Sequence, residues 1–92
     1  MPEDKTSGRT TVKGSIEFHI VTEAVRTIRE SAGLSQGELS RLIGKERTYV
    51  HKVESGKRVP DIVTFMKILK VCGADVGEAA KELAAEFDKR GS

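Results

Sequence analysis

The side chains best suited to act on a partner crowd between Lys45 and Arg58. These fourteen residues hold Lys45, Arg47, Lys52, Lys57 and Arg58 against Glu46 and Glu54, a net +3. Thr48, Tyr49, His51 and Ser55 place hydrogen-bonding groups between the charges. Such donors suit a polyanion. Arg and Lys can pair with guanine O6 and N7, Thr can bond a base or touch a thymine methyl, and His can donate in the same groove. On charge alone, a solvated face that happens to be basic is the competing account. The whole chain carries only +2, and Asp75–Arg90 reverses the sign to −2, with five acids against three bases. The basic stretch is therefore local.

Other chemistry has less support. No nucleophile–base pair, Gly-rich phosphate loop or paired carboxylate motif occurs. Ser35 and Ser40 lie beside no histidine and read as cap and spacer, so the pattern argues against an enzyme. His19 and His51 are far apart, and the single Cys72 completes no metal-ligand spacing, so neither a metal nor a cofactor is expected. Cys72 reads as a small core residue, with a redox switch as the lesser alternative. A lone cysteine fits a reducing compartment and a cytoplasmic location. No apolar run approaches the ~18–20 residues of a membrane span, so no membrane partner is expected. Met1–Gly14 is polar, with no apolar leader segment. Ninety-two residues, 37% hydrophobic and 33% charged, fit one small domain with a modest core.

Residues 1–15 read as a flexible arm and 16–92 as the domain. Ile16–Ile20 alternates apolar and polar with period two, which reads as a short strand or an extra helical turn. Thr22 is a plausible N-cap for a first helix to Ala32, closed by Gly33. Ser35 and Glu38 fit a capping box for a second, short helix, Gln36 to Ile43, stopped at Gly44. A third short helix fits Glu46 to Glu54, with Val50 and Val53 buried and Gly56 as its left-handed cap. Pro60 bars continuation, and Asp61 caps a fourth helix, Ile62 to Val71, with Phe65 and Met66 in its core face. Asp75 caps a fifth, Val76 to about Lys89. Five helices on short connections predict an all-α five-helix bundle with a short N-terminal arm or strand.

Two helices too short to be stable alone make sense when one braces the other against a duplex. At about 100° per residue, Thr48, His51, Lys52 and Ser55 fall opposite Val50 and Val53, and Arg47 flanks them. Lys57 and Arg58 follow where they can hold phosphates without reading sequence. Gln36 can offer its amide to another phosphate. Tyr49 lies between core and solvent, open to packing or to a phosphate contact. Glu54 lies at the buried edge of the third helix, placed to hold backbone or arginine groups near the turn.

Ile28-Arg29-Glu30, Gly33-Leu34-Ser35-Gln36, Glu38-Leu39, Leu42-Ile43-Gly44, Tyr49-Val50, Val53-Glu54-Ser55-Gly56-Lys57-Arg58 and Pro60 together resemble the Cro/cI-type (xenobiotic-response-element-type) helix-turn-helix family. The resemblance spans Ile28 to Gly73, about half the chain. It implies a lambda-repressor-like DNA-binding fold, with the helix-turn-helix at about 36–54. By resemblance, Arg47, Thr48 and Lys52 meet base edges, with His51 beside them; Gln36, Lys57 and Arg58 meet phosphates. Lys45 stands where an apolar residue or Thr is common. Glu46 stands where Ser or Thr usually caps the recognition helix, and a carboxylate there both favours the helix start and repels phosphate.

One recognition helix covers few base pairs, so a homodimer on a pseudo-palindromic operator is expected, with double-stranded DNA as partner and repression as its role. The interface could lie on the fifth helix, whose apolar face is wide, or on paired Ile16–Ile20 segments; the fifth helix could equally just close the bundle. The basic arm (Lys5, Arg9, Lys13) could follow the duplex. An antitoxin or restriction-modification controller that also binds a protein partner is one alternative. An interaction or coactivator module without DNA binding is the other.

Overall fold

The computed structural model describes residues 15–91. Of the arm expected over residues 1–15, residues 1–14, with Lys5, Arg9 and Lys13, lie outside the described residues. Among those described there are five helices and no strand: α1 (Ile16–Ser31), α2 (Gln36–Leu42), α3 (Tyr49–Glu54), α4 (Ile62–Val71) and α5 (Val76–Gly91). The chain is an all-α bundle, as its patterning and short connections imply.

α1 begins earlier than its sequence suggests. Ser15 caps it, its hydroxyl accepting from the Phe18 N–H at 3.0 Å. Ile16–Ile20 is therefore helix and not strand. Phe18, Thr22 and Val25 recur at four and three residues, which puts them on one buried helical face, and Ile20 is buried as well. Thr22 is no cap. It is buried within α1, its hydroxyl donating to the His19 carbonyl at 2.8 Å.

The other starts follow their polar signals. Ser35 accepts from the Glu38 N–H at 3.0 Å while Glu38 accepts from the Ser35 N–H at 2.8 Å, closing the capping box. Asp61 takes the Thr64 N–H at 2.7 Å, and Asp75 takes the Glu78 N–H at 2.9 Å. α2 ends on Gly44, at φ +76°. There the Gly44 N–H reaches the Arg41 carbonyl and the Lys45 N–H reaches the Ser40 carbonyl. This paired closure demands a left-handed residue, which glycine adopts freely.

The core joins all but the last helix. Val25 of α1, Leu39 and Ile43 at α2, Tyr49, Val50 and Val53 of α3 and Ile68 of α4 form one buried cluster. Val21, Leu34, Phe65 and Cys72 pack against it, so Cys72 is the small apolar filler its sequence suggests. Burial pushes its thiol pKa up, away from the reactive thiolate. α5 lies along α1, and Arg90 near its end reaches Glu23 at 2.8 Å.

One expected core position is corrected. Met66 is 40% exposed, and Ile62 and Val63 beside it are 68% and 61% exposed. α4 has apolar residues over more of its circumference than its neighbours cover.

Candidate nucleic-acid interface

α3 is only six residues long and rests on what surrounds it. Ser40 of α2 is wholly buried at the crossing. Its hydroxyl accepts the Val50 N–H at 3.0 Å and donates to the Gln36 carbonyl at 2.9 Å. It thus serves an orphan donor in the first turn of α3 from outside the helix. Glu46 and Thr48 do not cap α3. It starts at Tyr49, whose N–H bonds the Glu46 carbonyl, and Thr48 makes no side-chain cap bond. The expected start at Glu46 is thus three residues early, because Glu46 to Thr48 form the turn that feeds the helix.

The far end of α3 is fixed as firmly. The Lys57 N–H bonds the Lys52 carbonyl at 2.8 Å and the Arg58 N–H bonds the same oxygen at 3.2 Å, with Gly56 at φ +82° between. The loop cations are therefore tied by backbone to the helix that precedes them.

Beneath this surface lies a polar knot. The Glu54 side chain is 1% exposed. It accepts from Arg29 twice, Nε to Oε2 at 2.7 Å and Nη2 to Oε1 at 3.0 Å, and from Gln36 Nε2 at 2.8 Å. Arg26 approaches to 3.7 Å. Arg29 spends its remaining nitrogen on the Leu34 carbonyl at 2.9 Å. α1, the loop before α2, α2 and α3 therefore meet at one carboxylate. Burial would raise the pKa of Glu54, but the bonds from Arg29 and Gln36 outweigh it and hold the carboxyl below its ordinary value. The same pairing raises the pKa of Arg29. The sequence reading placed arginine partners here; Gln36 as a partner has no signal in spacing.

The expected contact residues separate into two groups. Arg47, Thr48 and His51 are exposed, Lys52 is half-buried, and Lys57 and Arg58 are exposed. The stem of Arg47 passes over Gly37 at the start of α2, where an added Cβ would sit 3.6 Å from its Cγ. Tyr49 is different, being 2% exposed. Its ring is core, and Lys45 and Arg58 sit 5.3 and 5.2 Å from its centroid. Of the two roles expected of Tyr49, its burial supports packing, with Lys45 after α2 and Arg58 after α3 flanking the ring. Burial chiefly raises its pKa, with the nearby Arg58 opposing. Gln36 also differs from expectation. A carboxylate only accepts, so its amide nitrogen must face Glu54, which leaves one N–H for anything outside.

Glu46 is the other departure. Its Oε2 lies 3.2 Å from Lys52 Nζ and 3.7 Å from Arg58 Nη1. An acid stands among the cations of the exposed face. Among the described residues no group of three His, Cys, Asp or Glu could hold a metal, and no helix is long and apolar enough to cross a membrane.

Two short helices pinned by Ser40, an exposed donor-rich face on the second, and paired cations behind it are the parts of a helix-turn-helix reader. A family model described as helix-turn-helix matches residues 25–78, more than half of the chain. The chain belongs to the Cro/cI-type helix-turn-helix family. The match runs from Val25 of α1 into the first turn of α5 and takes in the whole Glu54 knot. This helix-turn-helix family is one of DNA-binding transcription regulators, and that class holds for this chain. No curated protein matches the helix-turn-helix chain.

Proposed function

We propose that this helix-turn-helix protein is a sequence-specific repressor that binds a pseudo-palindromic operator as a homodimer in the cytoplasm. α3 lies in the major groove. Arg47, Thr48, His51 and Lys52 address base edges, and Lys57 and Arg58 hold phosphates. Gln36 serves a phosphate through its second N–H. The observation that carries this reading is the exposed face formed by Arg47 and Thr48 in the turn before α3 and His51 and Lys52 on α3, a helix held at both ends.

Support for the dimer comes from α4. Val59, Ile62, Val63 and Met66 are 41%, 68%, 61% and 40% exposed and follow directly on Lys57 and Arg58. A second copy on that side covers apolar surface that a monomer leaves in water.

The test is selection of bound sites from a random duplex library with the full chain, followed by titration. A recovered inverted repeat bound with steep salt dependence is expected. Arg47→Ala weakens the selected site by about 1–3 kcal/mol and relaxes one position in it. Lys57→Ala weakens all sequences alike and lowers the salt slope by about one. No enriched sequence, or binding indifferent to salt, counts against the reading.

A further inference from the structure

Three of the exposed groups on the reading face are not independent. Glu46, in the turn before α3, touches Lys52 on α3 and Arg58 after it, at 3.2 and 3.7 Å. The Lys52 contact is a hydrogen bond as well as an ion pair. All three side chains are 41–51% exposed, so the cluster lies at the surface a duplex must approach. Arg58 is also drawn to the Tyr49 ring, with its guanidinium carbon 5.2 Å from the centroid. Lys52 Nζ carries three donors. One goes to Glu46 and two remain.

From this geometry we infer that Glu46 is a specificity-determining positioning residue, which holds Lys52 and Arg58 off the phosphates of unselected DNA while leaving Lys52 able to donate to a base. The inference rests on the DNA-binding reading of this face. On a random duplex, phosphates must compete with a carboxylate already paired to both cations, and that carboxylate also repels them. At the proper site the Glu46–Lys52 contact persists. The two free N–H groups of Lys52 point to acceptors on a base edge, a contact only the matching base completes. The acid thus weakens indiscriminate binding more than selected binding. Its carboxyl pKa lies below its ordinary value, through the Lys52 hydrogen bond and charge first and Arg58 after, so the charge persists at neutral pH.

The test compares the full chain with Glu46→Gln on two probes: a duplex recovered by selection and a duplex of scrambled sequence, each over a fourfold range of salt. Freeing two cations for phosphates should steepen the salt slope on scrambled DNA by up to about two and tighten that binding roughly tenfold at the low-salt end. Affinity for the selected duplex should change less than about threefold, so the ratio between the two probes falls. Glu46→Asp, which keeps the charge, should restore part of the ratio. In a Lys52→Gln, Arg58→Gln background, Glu46→Gln should leave the slope unchanged and tighten both probes only slightly, through the lost repulsion of phosphate. An unchanged slope on scrambled DNA overturns the inference. So does a tightening equal on both probes and undiminished in the double-substituted background, since that is simple charge removal. If neither the native chain nor Glu46→Gln binds any duplex, the DNA-binding reading falls and this inference with it. If the native chain discriminates between the probes and Glu46→Gln keeps the same ratio, this inference alone falls.

Discussion

Glu54 lies on the helix that presents the reading face, yet its carboxylate points inward and ends in Arg29 and Gln36. A paired buried charge is costly to break by removing one partner. Arg29→Met is expected to lower the unfolding free energy at neutral pH by about 3–5 kcal/mol, measured by denaturant titration. The pH dependence gives a second reading. The folded carboxyl pKa is below its unfolded value, so its stabilisation is full above the ordinary glutamate range near 4.5 and fades as pH falls through and below it. The cap carboxylates Glu38 and Asp61, held low by the N–H groups they accept, shift stability in the same direction. In Arg29→Met only Gln36 and Arg26 remain to oppose burial, so the loss of stability on the acid side should shrink. Ser40 makes a complementary case. Ser40→Ala strands the buried Val50 N–H and is expected to cost about 1–3 kcal/mol with little change in charge or surface.

Among the elements, boundaries set by one strong polar signal could be read from the sequence. Ser35, Asp61 and Asp75 each precede an apolar run, and each accepts the N–H three residues on. Gly44 and Gly56 mark stops because few other residues take φ near +80°. Gly44→Ala is accordingly expected to cost about 1–2 kcal/mol, visible as a lower midpoint in thermal unfolding, although the added carbon meets nothing within 4 Å. The start of α1 was less legible. Five residues alternating apolar and polar fit period two because α1 is buried on two sides: Phe18 shares one arc with Thr22 and Val25, while Ile20, about 160° away, is buried on the side next to α5. The start of α3 was hidden for another reason. Its cap is Ser40, ten residues upstream, and a cap from another helix leaves no local signature. Tyr49 is undecided on the helical wheel because its surroundings include residues off the helix: core residues of α1, α2 and α4, and Lys45 and Arg58 over its ring. On α4 the apolar positions were legible, but which of them face neighbours was not. Phe65 packs on the core while Ile62, Val63 and Met66 face out.

For the whole molecule, that uncovered side of α4 becomes the measurable consequence. If it is where two copies meet, Val63→Lys should shift the chain toward monomer in sedimentation equilibrium. Cooperative occupancy of an inverted repeat should then give way to weaker binding at each half, and the unfolding midpoint should lose its dependence on protein concentration. A wild-type chain that stays monomeric at high concentration, with and without the operator, argues against the dimer. The distribution of charge matters at this scale too. The chain carries only +2 overall, so attraction to nucleic acid rests chiefly on the few cations clustered after α2.

The backbone bonds from Lys57 and Arg58 to a single oxygen of Lys52 give the molecule something like a fixed caliper. The residues proposed to hold the sugar-phosphate rail are thereby kept at a set spacing from those proposed to inspect the bases. Lengthening the span by one residue between Gly56 and Lys57 would delete no contacting residue and still misalign the instrument.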